Sequence, residues 1–458
     1  MYKQTFNSKS IFWIILFGLI IRCALVMSSY LYTNDLKVFI GRDASSYIAP
    51  AKSMIENGTF SNDSRRTPGY PLLLIPGVAF NNLIPITILI QILLSCATIY
   101  FVYLVCKLIF ENKKIGIWAA FLYAIEPVSI LFASRIATET FFTFSIMAFL
   151  YIFLKYLKNN STAYLIAASI LLVISTLIRP ISFFLPIYLT VIFFIITIVN
   201  SDKKKIIIHC ILFIFISHAL MGIWQIRNKM VDGFSGISNV SAFNLYYCNA
   251  ASVKAKLENR GYYEVRDSML KTCCEDFLAL NPDKTECSKK DLYKFWAEEG
   301  SKIILQNPVL YAKIHIKGII RLMMDPGATF YLTLFHKYPR IGGLLDTLEN
   351  KGLFRSILFL AKEKPTVFWS NLFLGIYLLF FYFLAIFSLY SKKFWNNFSV
   401  LIIIYISLYF IILSGGPGGI HRFRHPIMPI ICIISAYGLN IAKESIKTKR
   451  IKFMKKIQ

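Results

Sequence analysis

Residues 83–106 read LIPITILIQILLSCATIYFVYLVC, a run without a single charged side chain. A helix needs about 20 mostly apolar residues to cross the hydrocarbon core of a bilayer, and this run is long enough. Further stretches of the same kind are 11–31, 115–133, 137–154, 162–178, 181–199, 206–224, 368–390, 398–414 and 426–442. Pro127 breaks the stretch 115–133, and Arg179-Pro180 is where the fifth and sixth spans meet. The composition agrees: of 458 residues, 56 % are hydrophobic and only 16 % charged, where soluble proteins have roughly a quarter charged. Mean hydropathy is +0.58. The length alone would allow two or three soluble domains; the composition excludes them. The sequence predicts an all-α polytopic membrane protein of about ten transmembrane helices, with two long outer loops carrying interfacial helices.

The net charge is +26. In a soluble chain that would suggest nucleic acid; here it must first be sorted by side of the membrane. One set of linkers is short and rich in lysine: Lys3 and Lys9, Lys113 and Lys114, Lys155 and Lys158, Lys203 to Lys205, Lys392 and Lys393, and the tail from Lys443. Positive residues mark the cytoplasmic side, so both termini are expected there, and ten spans satisfy that parity. Lys3 and Lys9 before an apolar stretch also look like a signal peptide, but no small-residue cleavage site follows, so the stretch is read as a span. With these sides, the cytoplasmic face holds 18 Lys and one Arg, Arg450, while the other 14 Arg lie in outer loops or toward the outer side, Arg22, Arg135 and Arg179 among them. Arginine's planar fork suits bidentate phosphate or carboxylate binding. The outer side is therefore expected to hold an anion, and no nucleic-acid partner is expected.

The chain divides at 1–224 (seven spans and the first outer loop, 32–82), 225–367 (a large outer loop domain), 368–442 (three spans) and 443–458 (a basic cytoplasmic tail). The large loop contains Cys248, Cys273, Cys274 and Cys287. An even number in an oxidising compartment predicts two disulfides, with the adjacent pair bonding outward to Cys248 and Cys287. A zinc site built from all four is the rival. The remaining cysteines fall in spans and read as inert core residues. Between Asn307-Pro308 and Asp325-Pro326, the cations Lys313, Lys317 and Arg321 stand four apart, among Leu310, Ile314, Ile319 and Met323. That pattern predicts a helix lying in the membrane interface, and 353–360 repeats it. There is no Gly-rich nucleotide loop, HExxH or internal repeat.

The first outer loop opens Gly41-Arg42-Asp43-Ala44-Ser45-Ser46-Tyr47, continues Glu56-Asn57-Gly58-Thr59-Phe60 and closes Arg65-Arg66-Thr67-Pro68-Gly69-Tyr70-Pro71. Later come Ser134-Arg135…Thr138-Glu139-Thr140, Arg179-Pro180, Trp224-Gln225-Ile226-Arg227-Asn228 and Arg422-Phe423-Arg424-His425-Pro426…Pro429. In this order the five segments resemble the polyprenyl-phosphate-sugar-dependent glycosyltransferases of the GT-C fold. That group includes protein O-mannosyltransferases and the aminoarabinose transferases of lipid A. Residues 250–306 and 327–397 carry no such likeness.

The resemblance implies that Asp43, the acid of the first outer loop, is the general base. It implies a polyprenyl-phosphate-linked sugar as donor and a lipid, glycan or protein as acceptor, in contact with membrane lipids. A sugar on a lipid phosphate is already activated, so the enzyme needs a base for the acceptor hydroxyl and cations for the departing phosphate. Glu139 reads as a second acid that orients the acceptor or tunes Asp43. Arg66, Arg227, Arg422 and Arg424 read as donor-phosphate ligands, supported by Arg42, Tyr47, Arg135 and Asn228. Bland readings stand beside these. Asp43 could cap a helix over 44–56 or pair with Arg42, Glu139 could pair with Arg135, and loop arginines could simply tie loops together. The aminoarabinose branch has an acid followed by Lys-Pro where this chain has Arg66-Thr67-Pro68, so no metal and no other cofactor is predicted. The six histidines show no ligand spacing. The rival functions are a flippase or transporter for lipid-linked sugars, for which paired repeats are missing, a ligase of whole lipid-linked oligosaccharides, and a non-catalytic lipid-binding protein.

Overall fold

A computed structural model of the chain describes residues 9–61, 63–199, 202–337 and 353–457. Among these residues every regular element is a helix, apart from an isolated bridge between Ile40 and Ile136. Lys3 lies outside them. The first part runs α1 (Lys9–Thr33), α2 (Ala44–Glu56), α3 (Gly69–Ala79), α4 (Leu83–Phe110), α5 (Lys113–Ala124), α6 (Pro127–Ala133), α7 (Glu139–Asn159), α8 (Thr162–Ile178), α9 (Leu185–Val199) and α10 (Lys203–Asp232). The middle contains α11 (Val240–Asn244), α12 (Ala251–Leu257), α13 (Tyr262–Leu280), α14 (Lys289–Gln306), α15 (Pro308–Met324) and α16 (Ala328–Leu334). The last part is α17 (Leu353–Glu363), α18 (Pro365–Leu389), α19 (Lys392–Trp395), α20 (Phe398–Ser414), α21 (His421–Arg424) and α22 (Met428–Ile457).

Among the described residues seven helical stretches are long and apolar enough to cross a membrane, Pro180–Ile198 around α9 and His421–Ile446 across α21 and α22 among them, and α5 with α6 make an eighth, bent by 58°. This is a multi-pass membrane protein. The bend sits at Glu126-Pro127, as the sequence expects of Pro127. The Glu126 carboxylate accepts from Val128 N at 3.1 Å and from Ser129 N and Oγ at 2.6 Å, so it caps α6 inside the bundle. The other two predicted spans, α8 and α20, are apolar helices of 17 residues each. At 1.5 Å per residue that is about 26 Å, a little short of a core of about 30 Å. Eight spans by length and composition and these two shorter apolar helices stand where the sequence places ten.

Helix α1 exposes Phe12, Trp13 and Leu31, and α18 exposes Trp369, Phe373 and Ile376, as lipid-facing helices do. The core lies where α4, α5, α7 and α22 pack. Helices α18 and α22 approach closely at Gly438, where a Cβ would stand 1.9 Å from Leu384 O. Small residues allow such backbone contact between membrane helices. Arg22, expected toward an anion site, is instead fully buried and stitches three helices: it donates to Ser95 Oγ at 2.8 Å and to Gly18 O and Ala124 O at 3.0 Å.

Both long loops converge at one end of the bundle. Gly69 of the Thr-Pro-Gly-Tyr-Pro turn lets α3 sit on the end of α8, since a Cβ there would lie 2.7 Å from Leu177 O. Residues 63–66 are strapped to the start of the large loop: Ser64 N and Oγ donate to Asp232 Oδ2 at 2.8 Å, and Ser238 Oγ donates to Arg65 O at 2.6 Å. Aromatic residues Tyr246, Tyr247, Phe277 and Phe295 make a small core of their own between α12, α13 and α14. Helix α15 presents Leu310, Ile314, Ile319 and Met323 partly buried against the protein, while Val309, Ile316, Ile320 and Met324 stay exposed with Lys313 and Lys317. Its Gly318 meets the loop Gly415-Gly416-Pro417-Gly418-Gly419 so tightly that a Cβ would stand 1.8 Å from Gly416 O.

Candidate functional site

Helix α21 carries the central side chain. It is a single turn, fixed from outside by Asp325 at the end of α15: Asp325 Oδ2 lies 2.8 Å from His421 Nδ1, and Oδ1 accepts from Gly327 N at 2.9 Å. Burial pushes the Asp325 carboxyl up, but the His421 contacts and the backbone N–H groups outweigh it and hold it down to about 2. The next residue, Arg422, points toward α2, α7 and α8.

Asp43 precedes the first turn of α2, yet its side chain makes no capping hydrogen bond. It faces arginines instead. Arg422 Nη1 donates to Oδ2 at 2.7 Å, and Arg66 Nη2 stands 3.9 Å from Oδ1. Burial raises the Asp43 pKa, and the nearby charges of Arg422, Arg66 and Arg65 more than offset that, so the carboxyl lies below its ordinary range. Its side chain remains 43 % exposed. Glu139, at the first turn of α7, is 0 % exposed. Its Oε1 accepts from Arg422 Nε and from Arg179 Nη1 at 3.1 Å, while Oε2 is buried with no hydrogen-bond partner among the described residues. Arg179 lies over the rings of Phe142 and Phe423, 5.5 and 5.4 Å from their centroids. Arg66 donates to Ser46 Oγ and Tyr47 OH at 2.9 Å each and stacks on the Tyr47 ring at 4.2 Å.

The two acids are thus joined by one guanidinium, with Arg179 behind and Arg66 in front. Beside them a cavity of about 280 Å³ opens between α2 and residues 63–66, lined by Ser46, Pro50, Ser53, Asp63, Arg65 and Arg66 among others. An open carboxylate between two guanidiniums can take a proton next to a bound anion.

The structure brings together Asp43, Glu139, Arg66, Arg422 and Tyr47, and leaves Arg42 exposed beside Asp43. Four other predicted residues have partners elsewhere. Arg424 is fully buried and donates to Leu322 O at 2.8 Å and Met323 O at 2.9 Å, away from Asp43. Arg227 donates to Asp63 O at 2.8 Å and to Ser61 O, and stacks on Trp224, so it ties the two loops. Asn228 closes a turn by donating to Gly236 O at 2.9 Å and Ile237 O at 3.0 Å. Arg135 donates to Phe330 O at 3.2 Å and to Thr333 Oγ1, not to Glu139. Arg179, which the sequence marks only as an outer-side arginine in an Arg-Pro step, joins the cluster through Glu139.

The four loop cysteines are thiols in this structure, rather than two disulfides. Cys248 points to Asn244 Oδ1 at 3.7 Å and Cys273 to Leu270 O at 3.8 Å, so neither faces the other. Cys287 lies against Cys274, and burial followed by that neighbour pushes its thiol up to about 12. Among the described residues no three His, Cys, Asp or Glu side chains form a metal-ligand group.

Residues 76–224 match the sequence profile of dolichyl-phosphate-mannose-protein mannosyltransferase. Among solved structures, the apo oligosaccharyltransferase of Archaeoglobus fulgidus superposes with a TM-score of 0.55 at 14 % identity, over 98 % of this chain and 52 % of that one. The same enzyme tethered to an acceptor peptide with the NVT sequon gives 0.54 at 15 % identity, over 97 % and 51 %. The chain has the GT-C fold. It spans about half the length of that oligosaccharyltransferase. ArnT of Cupriavidus metallidurans bound to undecaprenyl phosphate superposes more loosely, at 0.40 and 13 % identity over 94 % of this chain and 77 % of that one. No curated protein matches the sequence significantly. Within the GT-C fold, the acid-and-arginine cluster sits at the end of the bundle where both long loops meet.

Proposed function

We propose that the chain is an integral membrane glycosyltransferase that moves a sugar from a polyprenyl-phosphate carrier to an acceptor hydroxyl on the outer face of the membrane. The observation that carries this reading is Asp43, a half-open carboxylate between Arg422 and Arg66, of which Arg66 also lines the 280 Å³ cavity. The likeness of residues 76–224 to dolichyl-phosphate-mannose-dependent enzymes supports the donor class. The lysine-rich linkers support cytoplasmic termini, which sets the two long loops, 32–82 and 225–367, outside.

In one in-line displacement the acceptor oxygen bonds to the anomeric carbon. The bond from that carbon to the phosphate oxygen breaks, and its electrons leave with polyprenyl phosphate. The hydroxyl proton passes to Asp43, and the anomeric configuration inverts. Arg66 and Arg422 stabilise the charge that develops on the phosphate. Arg227 and Arg424 hold the loops and the bundle around them.

The superposition on an oligosaccharyltransferase favours a second reading, transfer of a whole lipid-linked oligosaccharide. Mass spectrometry of envelope lipids and glycans from cells with and without the gene separates the two. Loss of a single sugar mass supports the first reading, and loss of an entire oligosaccharide supports the second. An unchanged envelope sinks both.

A further inference from the structure

The geometry points to Arg422 as a guanidinium shared in turn between the base and the donor phosphate, pivoting on Glu139. The inference rests on the glycosyltransferase reading and adds to it how donor binding readies the base.

Arg422 uses Nε on Glu139 and Nη1 on Asp43. Its Nη2 has no hydrogen bond among the described residues and is not among the buried unpartnered atoms, so a donor remains open to an incoming oxygen. Glu139 cannot itself meet a substrate, because its side chain is 0 % exposed. It is held by Arg179 from behind. Glu139 is therefore a positioning residue: it anchors one edge of the guanidinium and leaves the other edge free to turn.

The charges balance through the reaction. Asp43 and Glu139 face Arg66, Arg179 and Arg422, a net of one positive charge in the cluster. The donor phosphodiester carries one negative charge, which neutralises it. After transfer Asp43 is protonated, the cluster gains one positive charge, and the departing phosphate monoester carries about two negative charges. The other groups near Asp43 are Arg65 and Arg42, both exposed, and Tyr47, whose hydroxyl is occupied by Arg66.

Without donor, the ion pair with Arg422 makes Asp43 a weak base. A phosphate taking Arg422 Nη1 and Nη2 as a fork releases Asp43, which then becomes the stronger base that proton abstraction needs. The base is thus unmasked when the leaving group is in place.

Carbodiimide modification tests this, because it consumes protonated carboxyl groups. Full-length protein in lipid nanodiscs is labelled across a pH series, with and without undecaprenyl phosphate, and Asp43 is read by peptide mass spectrometry. Lipid occupancy is measured separately by native mass spectrometry. The expected result is that bound lipid moves the midpoint of Asp43 labelling to higher pH in the natural protein. In Arg422→Gln the midpoint should already be raised without lipid, and saturating lipid should move it much less. Arg422→Met, which also removes the charge, serves with the same expectation if Arg422→Gln does not fold. An equal lipid-induced shift in the natural protein and the variant overturns the inference, because the phosphate charge then acts on Asp43 directly. No shift in lipid-saturated natural protein also overturns it while leaving the glycosyltransferase reading intact. Failure of the lipid to bind at all removes both.

Discussion

Arg422 Nη1 donates to Asp43 Oδ2 at 2.7 Å, across 379 positions of the chain. The contact joins the first loop to the last span and separates two roles for Asp43. A helix-capping role would be kept by asparagine, yet the Asp43 side chain caps nothing. Asp43→Asn keeps shape and loses proton affinity, so transfer should fall by about 10²-fold or more with little change in thermal stability. An Asp43→Asn protein that transfers sugar normally would falsify the base assignment.

The same ion pair sets a pH dependence. Arg422 and its neighbours depress the Asp43 pKa, and a base works in its ionised form. kcat/KM, which reports the free enzyme, should therefore be flat around neutrality and be lost only as pH falls through the depressed value. Replacing Arg66 by Gln removes one of the depressing charges. The acid limb of kcat/KM should then move to higher pH, whereas a merely structural Arg66 would lower the rate without moving the limb.

Arginines two residues apart offer a sharper test. Arg422 and Arg424 belong to one motif, but in one helical turn they point to different neighbours. Arg424→Met leaves Leu322 O and Met323 O without their donor inside the bundle. Charged hydrogen bonds are worth roughly 1.5–3 kcal/mol each, so thermal stability should drop. Undecaprenyl phosphate binding by the folded fraction should stay unchanged. Weakened lipid binding at full stability would return Arg424 to the phosphate site.

Such pairs explain what the sequence could and could not disclose. The spans were legible because an uncharged run of twenty or more residues has few other homes. Asp43, Glu139, Arg66 and Arg422 were legible as ionisable groups at the mouths of those spans. Their mutual geometry was not. Arg227 and Arg66 look equally free in sequence, and only folding reveals that Arg227 is engaged by the carbonyls of Asp63 and Ser61. Arg22 looked like part of an anion site because its partners are backbone carbonyls and a serine hydroxyl, which leave no charge pattern to read. The apolar helices α8 and α20 were legible to the residue, at 162–178 and 398–414.

Sidedness has its own measurement. The proposed orientation puts residues 203–205 and 392–393 in the cytoplasm, and Asn57 and Lys284 outside. Single cysteines at Asn57 and Lys284, in a background with the native loop cysteines replaced by serine, should react with a membrane-impermeant maleimide in intact cells. Cysteines at Lys204 and Lys392 should react only after permeabilisation. External labelling at Lys204 would reverse the orientation and move the Asp43 cluster to the cytoplasmic face.

The loop cysteines yield the last prediction. The sequence pairs Cys273 and Cys274 outward with Cys248 and Cys287, and the folded loop brings one such pair together. Cys248 follows α11, turned toward Asn244, and Cys273 turns back along its own helix to Leu270 O. Cys274 on α13 and Cys287 just before α14 are already in contact. A disulfide needs Cβ atoms about 3.5–4.5 Å apart, so the touching pair should close first and the others should require the helices to move. Under mild oxidation, non-reducing peptide maps should show a Cys274–Cys287 link, with Cys248 and Cys273 still alkylated. The link closes a short loop between α13 and α14, and in the chain-entropy account a loop of about 15 residues is worth about 3 kcal/mol. Oxidised protein should accordingly resist unfolding of this loop more than the Cys287→Ser variant does. A map showing Cys248–Cys273 alone would mean that α12 and α13 pack differently around Tyr247, and stoichiometric zinc would favour the four-thiolate site.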